Sequence, residues 1–239
     1  MGKVKIKRKS TLIDMTAMSD VTVLLLTFFM LTSTFLQKEP VTVITPSSVS
    51  EEKVPVSDLA TVLVSPTGKV FLSILGDADP ESKDTFGSEA VRKSIAMTAI
   101  ADWNDTHSQK VNLTEAQLTA FSKMNMFGVP FQVLPKFLSM KQTEQDKFMQ
   151  QLDSPQVGIP VSADATADNP DQFSIWLKAI RKVTAENDKF KDAIKSGEGI
   201  TVKADRGTPY QFVHPVLNDL QNLKLNRFTI MTALKTAED

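Results

Sequence analysis

One carboxylate stands alone in a long apolar run. Met15 to Leu36 reads MTAMSDVTVLLLTFFMLTSTFL, and Asp20 is its only charged residue. At about 1.5 Å per residue the run spans roughly 33 Å as a helix, enough to cross the hydrocarbon core of a bilayer. A charge at the centre of such a helix costs about 2.5–3.5 kcal/mol on insertion scales, and less off centre, so it needs an offsetting partner or a use. Wound at about 100° per residue, Thr16, Asp20, Thr27 and Thr34 fall within roughly 40° of one another. They form a polar stripe on a circumference otherwise made mostly of Leu, Val, Phe and Met. Such a stripe is expected to face a protein partner or a water-lined cleft, while the other sides meet lipid or apolar helices. Two chemistries fit it. Asp20 can glue helices together while the threonines satisfy their own backbone carbonyls, or it can be neutral in transit and charged where it meets water, and so carry protons. One proton moved through 100 mV releases about 2.3 kcal/mol, comparable to the difference between packed helix arrangements, so each protonation could bias a mechanical step.

The segments on either side of this helix set its direction. MGKVKIKRKST precedes it with Lys3, Lys5, Lys7, Arg8 and Lys9, whereas the following flank holds Lys38 and Glu39. The positive-inside rule then puts residues 1–14 in the cytoplasm as a basic tail, 15–36 across the membrane, and everything from Gln37 outside the cytoplasmic membrane. A cleaved secretory signal also starts with a basic segment and an apolar run. Its core is shorter, however, and LTSTFLQ offers no A-x-A-like cleavage site, so an uncleaved anchor is expected.

The remaining composition excludes more than it assigns. The net charge is −1 and no basic block follows the first eleven residues, so no field exists to gather nucleic acid. With no cysteine there are no disulfides, thiolate zinc sites or cysteine nucleophiles. His107 and His214 lie far apart with no carboxylate at metal spacing. No Gly-rich phosphate loop, G-x-S-x-G elbow or H-E-x-x-H helix occurs, so neither an enzyme nor a cofactor is expected. Asn104-Asp-Thr106 and Asn112-Leu-Thr114 match the glycosylation sequon, a pattern common by chance.

Beyond the membrane, QKEPVTVITPSSVSEEKVPVS (37–57) has no helical period and reads as an extended linker. The domain at 58–239 opens with ATVLVS and KVFLSI, joined by Pro66-Thr67-Gly68 as a hairpin. Asp171 to Lys195 carries Phe173, Trp176, Leu177, Ile180, Val183, Phe190 and Ile194 at mostly helical spacing, with Gly197 just past its end. GITVKA, a helix around Pro215 to Leu223 and FTIMTAL complete a ββαβαβ order, which suits an α+β sheet covered by two helices. Asp205 follows GITVKA in a turn with Arg206 and Gly207, which it is expected to fix.

The stretch at about 76–170 interrupts that order as a mainly helical insertion. Ser88 to Asp102 and Thr114 to Met124 read as helices, the second opened by the capping box Thr114-x-x-Gln117. Met124, Met126, Phe127, Phe131, Phe137 and Met140 are expected to form the insertion's own core, with a docking surface as the alternative.

IDMTAMSDVTVLLLTFFM resembles the membrane segment of the ExbD/TolR family of biopolymer transport proteins, whose pattern is approximately I-N-V-T-P-L-I-D followed by an apolar run ending in F-M. Thr16 takes the place of the family threonine, Asp20 that of its essential membrane aspartate, and Phe29-Met30 that of the closing pair. Asp14 and Ala17 stand where asparagine and proline are usual. VKADRGTPYQFVHPVLNDLQNLKLNRFTIMTAL is similar to the family's strand, A-D, tyrosine-containing helix and final strand. Pro215 departs from it, and is expected to kink or delay the helix. The resemblance implies a homodimer inside a ring of a multi-helix partner resembling ExbB, with the folded domain in the periplasm. In the ExbD branch, preferred here, work passes to a TonB-like protein that drives uptake through the outer membrane. In the TolR branch it maintains the envelope and contacts peptidoglycan. A passive anchored binding module is the reading from a different class.

The orientation is tested with single cysteines at Lys5 and Lys224. A membrane-impermeant thiol reagent added outside intact inner membranes is expected to label Lys224→Cys and spare Lys5→Cys; the opposite pattern reverses the topology.

Overall fold

The computed structural model describes residues 15–32, 39–41, 43–48, 59–75, 87–124, 126–166, 169–186, 199–225, 228–231 and 233–234. The chain divides into two compact units, 1–38 and 39–239. The first contains helix α1 (Met15–Thr32), in which no residue is buried. Its expected continuation to Leu36, and the basic tail, lie outside the described residues.

The second unit is built on the expected hairpin. Strand β1 (Ser47–Ser48) precedes it, and β2 (Leu59–Val64) pairs antiparallel with β3 (Val70–Leu75) in a register running from Leu59↔Leu75 to Val64↔Val70. Between them Ser65 Oγ accepts from the Lys69 N–H at 2.9 Å, and Gly68 holds φ at 78°. A Cβ at Gly68 would also lie 2.6 Å from the Phe212 ring, so the turn needs glycine twice over. Ala60, Val62, Leu63 and Val64 are all fully buried, the pattern of a strand covered on both faces.

The stretch read from sequence as an insertion holds α2 (Glu89–Thr106), capped by Ser88, and α3 (Glu115–Ser122), which carries the capping box expected of Thr114 and Gln117. It then supplies β4 (Met126–Phe127), α4 (Leu134–Leu138) and α5 (Gln142–Met149). Strand β4 adds to the outer side of β3 through Leu72↔Phe127 and Ser73↔Met126, and Ile159 bridges to Val70 farther along. Gly128 follows β4 where a Cβ would sit 2.2 Å from the Phe71 ring, so the backbone can pass there only without a side chain.

Helix α6 (Gln172–Ala185) starts at Asp171, whose carboxylate accepts from the Ser174 N–H at 2.8 Å. Phe190, Ile194 and Gly197, assigned to this helix from sequence, lie outside the described residues. Strand β5 (Ile200–Ala204) runs parallel to β2, α7 (Tyr210–Asn222) follows, and β6 (Thr229–Ile230) runs parallel to β5. The sheet order is β4-β3-β2-β5-β6, a ββαβαβ frame with one strand added from the insertion.

Two expectations about element boundaries are corrected. Helix α7 begins at Tyr210, and Pro215 lies inside it instead of delaying it. A proline there removes only the bond to the Gln211 carbonyl, and Gln211 is exposed, so water can take that bond while buried Val216 and Leu220 anchor the helix. The final strand is broken: β6 ends at Ile230, and β7 (Ala233–Leu234) pairs with β1.

The insertion also has no separate core. Phe127, Phe131 and Phe137 are buried, and Trp176 of α6 stacks with Phe131 at 5.0 Å and with Phe121 at 5.6 Å, with Phe127 tilted against it at 4.6 Å. Trp103 of α2 continues the column, 4.9 Å from Phe131. Buried in this way, the phenylalanines form no docking surface either.

The segment read as a linker is partly built into the domain. Lys203 Nζ meets Glu39 at 2.8 Å, Val41 is buried, and the Ile44 N–H donates to Asp205 Oδ2 at 2.8 Å while the Ile44 carbonyl accepts from Arg206 at 2.7 Å. Asp205 does fix its turn, through Oδ1 and the Gly207 N–H at 2.7 Å, and holds this segment as well.

Trp176→Ala is expected to cost about 3–5 kcal/mol of unfolding free energy, the range for deleting a large buried aromatic. Urea unfolding followed through the remaining tryptophan, Trp103, measures it. Combined with Phe131→Leu the losses should not add, because the rings touch.

Candidate functional site

Helix α1 contains the sequence-predicted site. Eleven large apolar side chains from Met15 to Leu31 are exposed on it, far more than water tolerates on one helix. Its 18 residues rise about 27 Å, close to the roughly 30 Å of a hydrocarbon core. It is long and apolar enough to cross a membrane.

The hydroxyls on this helix turn inward to the backbone. Ser19 donates to the Met15 carbonyl at 2.7 Å, Thr22 to Met18 at 2.7 Å, and Thr32 to Phe28 at 2.8 Å. Thr27 donates to Val23 and Leu24, each at 3.0 Å. Self-bonding of this kind is one of the two behaviours anticipated for the threonines. It removes each donor and leaves lone pairs on the outward side of the oxygen, so the surface presented by Thr27 is an acceptor. Asp20 is exposed on the same face, about 20° around the helix from Thr27. Thr16 is exposed one turn before it, and Thr34 lies outside the described residues. Two oxygen-bearing groups on one face suit a partner that donates: water, a protonated water, or an N–H.

Among its described residues the folded domain shows no second lone carboxylate on an exposed apolar helix. His107 stacks on Trp103 at 3.6 Å and sits 3.1 Å from the Thr106 hydroxyl; His214 lies 3.2 Å from the Asn218 amide. Among the described residues no three histidines or carboxylates gather as metal ligands. The sequon residue Asn104 is committed to a loop, since its amide donates to the Val111 carbonyl at 2.9 Å and accepts from its N–H at 2.8 Å.

One carboxyl in the domain escapes sequence reasoning. Asp219 on α7 is only 1% exposed, with Asp171 and Ser174 beside it. Burial first, and the Asp171 charge second, push it up to about 7. The available signal is its place in VLNDL: it falls three residues after Val216 and one before Leu220, on the face that enters the core.

The family model described as ExbD, biopolymer transport protein ExbD/TolR, matches residues 7–235, spanning both the membrane helix and the domain. No match is found among curated proteins, and none among solved structures.

The stripe makes a positional prediction. Thr27→Val, which removes the acceptor at nearly constant shape, is expected to lower energy-dependent function several-fold more than Thr32→Val, about 140° around the helix. Equal effects on uptake or envelope integrity, at equal expression, would remove the stripe as a functional surface.

Proposed function

The chain belongs to the ExbD/TolR family of biopolymer transport proteins, and we propose that it is the proton-carrying member of an ion-driven motor in the bacterial inner membrane. The family gives it a membrane-anchored role in transport or energy transduction, and α1 fits a single-pass anchor. The observation that carries the finer reading is Asp20: a lone carboxylate among exposed apolar side chains, on one face with a threonine whose oxygen is free to accept. In a bilayer that arrangement costs free energy unless a partner helix or a water-lined cleft meets it. We assign the partner as a multi-helix ring resembling ExbB, entered by two copies of this chain, with the N-terminus in the cytoplasm and the domain in the periplasm.

The mechanism follows from the chemistry of a carboxyl at a low-dielectric boundary. Protonated, Asp20 can move against apolar helices; ionised, it is confined to the acceptor-lined, hydrated face. Each transfer down a 100 mV potential supplies about 2.3 kcal/mol per proton to bias one helix arrangement over the next. The domain then passes the resulting motion outward, in the preferred reading to a TonB-like protein that opens outer-membrane uptake. Envelope maintenance of the TolR type uses the same membrane step with a different recipient.

Asparagine at position 20 keeps size and hydrogen bonding but cannot titrate. Asp20→Asn is therefore expected to insert, to co-purify with the ring partner, and to reduce energy-dependent uptake to the level seen with the potential collapsed. Asp20→Glu should retain part of the activity, because it still titrates with its carboxyl displaced by about one methylene in a close-packed site. Normal function of Asp20→Asn at normal expression would leave a passive anchor in place of a motor.

A further inference from the structure

The carboxyls of Asp171 and Asp219 meet where α7 packs on α6, outside anything the membrane step uses. Both oxygens of Asp171 accept hydrogen bonds, one from the Ser174 N–H at 2.8 Å and the other from the Ser162 N–H at 2.7 Å. Asp219 is buried, and its Oδ2 has no hydrogen-bond partner. Among the described residues no cation answers the pair. On α6, Lys178 is exposed, Arg181 donates to the Leu223 carbonyl at 2.7 Å, and Lys182 holds Asp102 at 2.5 Å. Asp164, in the loop before α6, is acidic itself, and His214 on α7 is exposed and lies against Asn218. The charge acting on Asp219 is that of Asp171, which raises it, while a hydrogen bond from the Ser174 side chain opposes the rise. A buried carboxylate and a half-buried one side by side repel, whereas a single proton on Asp219 converts its unpartnered Oδ2 into a donor beside an acceptor.

We propose that the Asp171–Asp219 pair is a one-proton lock that fastens α7 to α6 and to the loop before it, closed when the proton is present and weakened when it is lost. The lock has something to hold. Asn222 of α7 also reaches the Ala165 carbonyl of that loop at 3.3 Å, and α7 leads into β6 and β7, the latter paired with β1. Slack in α7 therefore reaches the strand that binds the segment arriving from the membrane helix. The proposal does not depend on Asp20.

The sign follows from linkage. Asp219 is held at about 7 when α7 is docked and returns to about 4 when α7 opens into water. The docked state thus binds an extra proton between those values. Its advantage over the open state falls about tenfold per pH unit across that window and is level above it.

Amide hydrogen exchange on the full-length protein in nanodiscs, corrected for intrinsic rates, reads this opening. Protection of the α7 amides is expected to fall roughly fiftyfold from pH 5 to pH 7 and to level off by pH 8, while α2 amides change much less. Asp219→Asn should flatten the α7 profile. Asp171→Asn keeps an N-cap residue and should move the fall to lower pH, so it tests the lock even if Asp219→Asn does not fold. A flat wild-type profile, an unchanged profile in Asp219→Asn, or one unmoved by Asp171→Asn would overturn the proposal. So would restoration of wild-type protection at pH 8 by millimolar calcium, which would assign the pair to a cation.

Discussion

The folded part of this protein depends on the rings gathered around one indole. Trp176 lies on α6, which belongs to the sheet's own ββαβαβ frame, yet the rings against it come from the insertion. Stacked and tilted contacts at such separations add to the burial of large apolar area. The insertion and the frame therefore share one core and cannot lose their packing independently. The indole N–H has no hydrogen-bond partner among the described residues.

The membrane helix obeys the opposite rule. No residue of α1 is buried within its own unit, so its stability in place comes from what surrounds it, and its apolar sides suit lipid. Back-bonded hydroxyls fit such surroundings. They hide their donors from lipid and still present oxygen where a donor arrives. This is how a helix with so many β-branched and hydroxylated residues remains compatible with an apolar solvent while keeping one chemically distinct side.

Local features were legible in the residues and long-range ones were not. Pro66-Thr67-Gly68 specified the hairpin, Thr114 and Gln117 the start of α3, and Asp171 the start of α6, because each acts on backbone groups within a few positions. Asp20 and its threonines could be placed on one face because a helix fixes angles from numbering alone. The shared core could not be read, since Phe121, Phe131 and Trp176 come together only after the chain folds. The same holds for the segment at Glu39–Ser48. Its attachment rests on Ile44 and Asp205, 161 positions apart, and on backbone groups that carry no residue signature. Asp219 was obscured by a different cause: an acidic residue in an amphipathic helix reads as solvated unless its angular position is checked against its apolar neighbours.

The added strand β4 bears on how many copies can share a membrane. A long strand with a bare flank is a template on which an identical chain can zip, and proteins confined to two dimensions meet their own copies often. Here β3, six residues long, is screened by β4 and by Ile159, and the sheet ends on each side in a strand of only two residues. A stray extended chain would find few hydrogen bonds at either margin. Crowding many of these domains together thus raises their local concentration without giving them an easy route to a continuous intermolecular sheet.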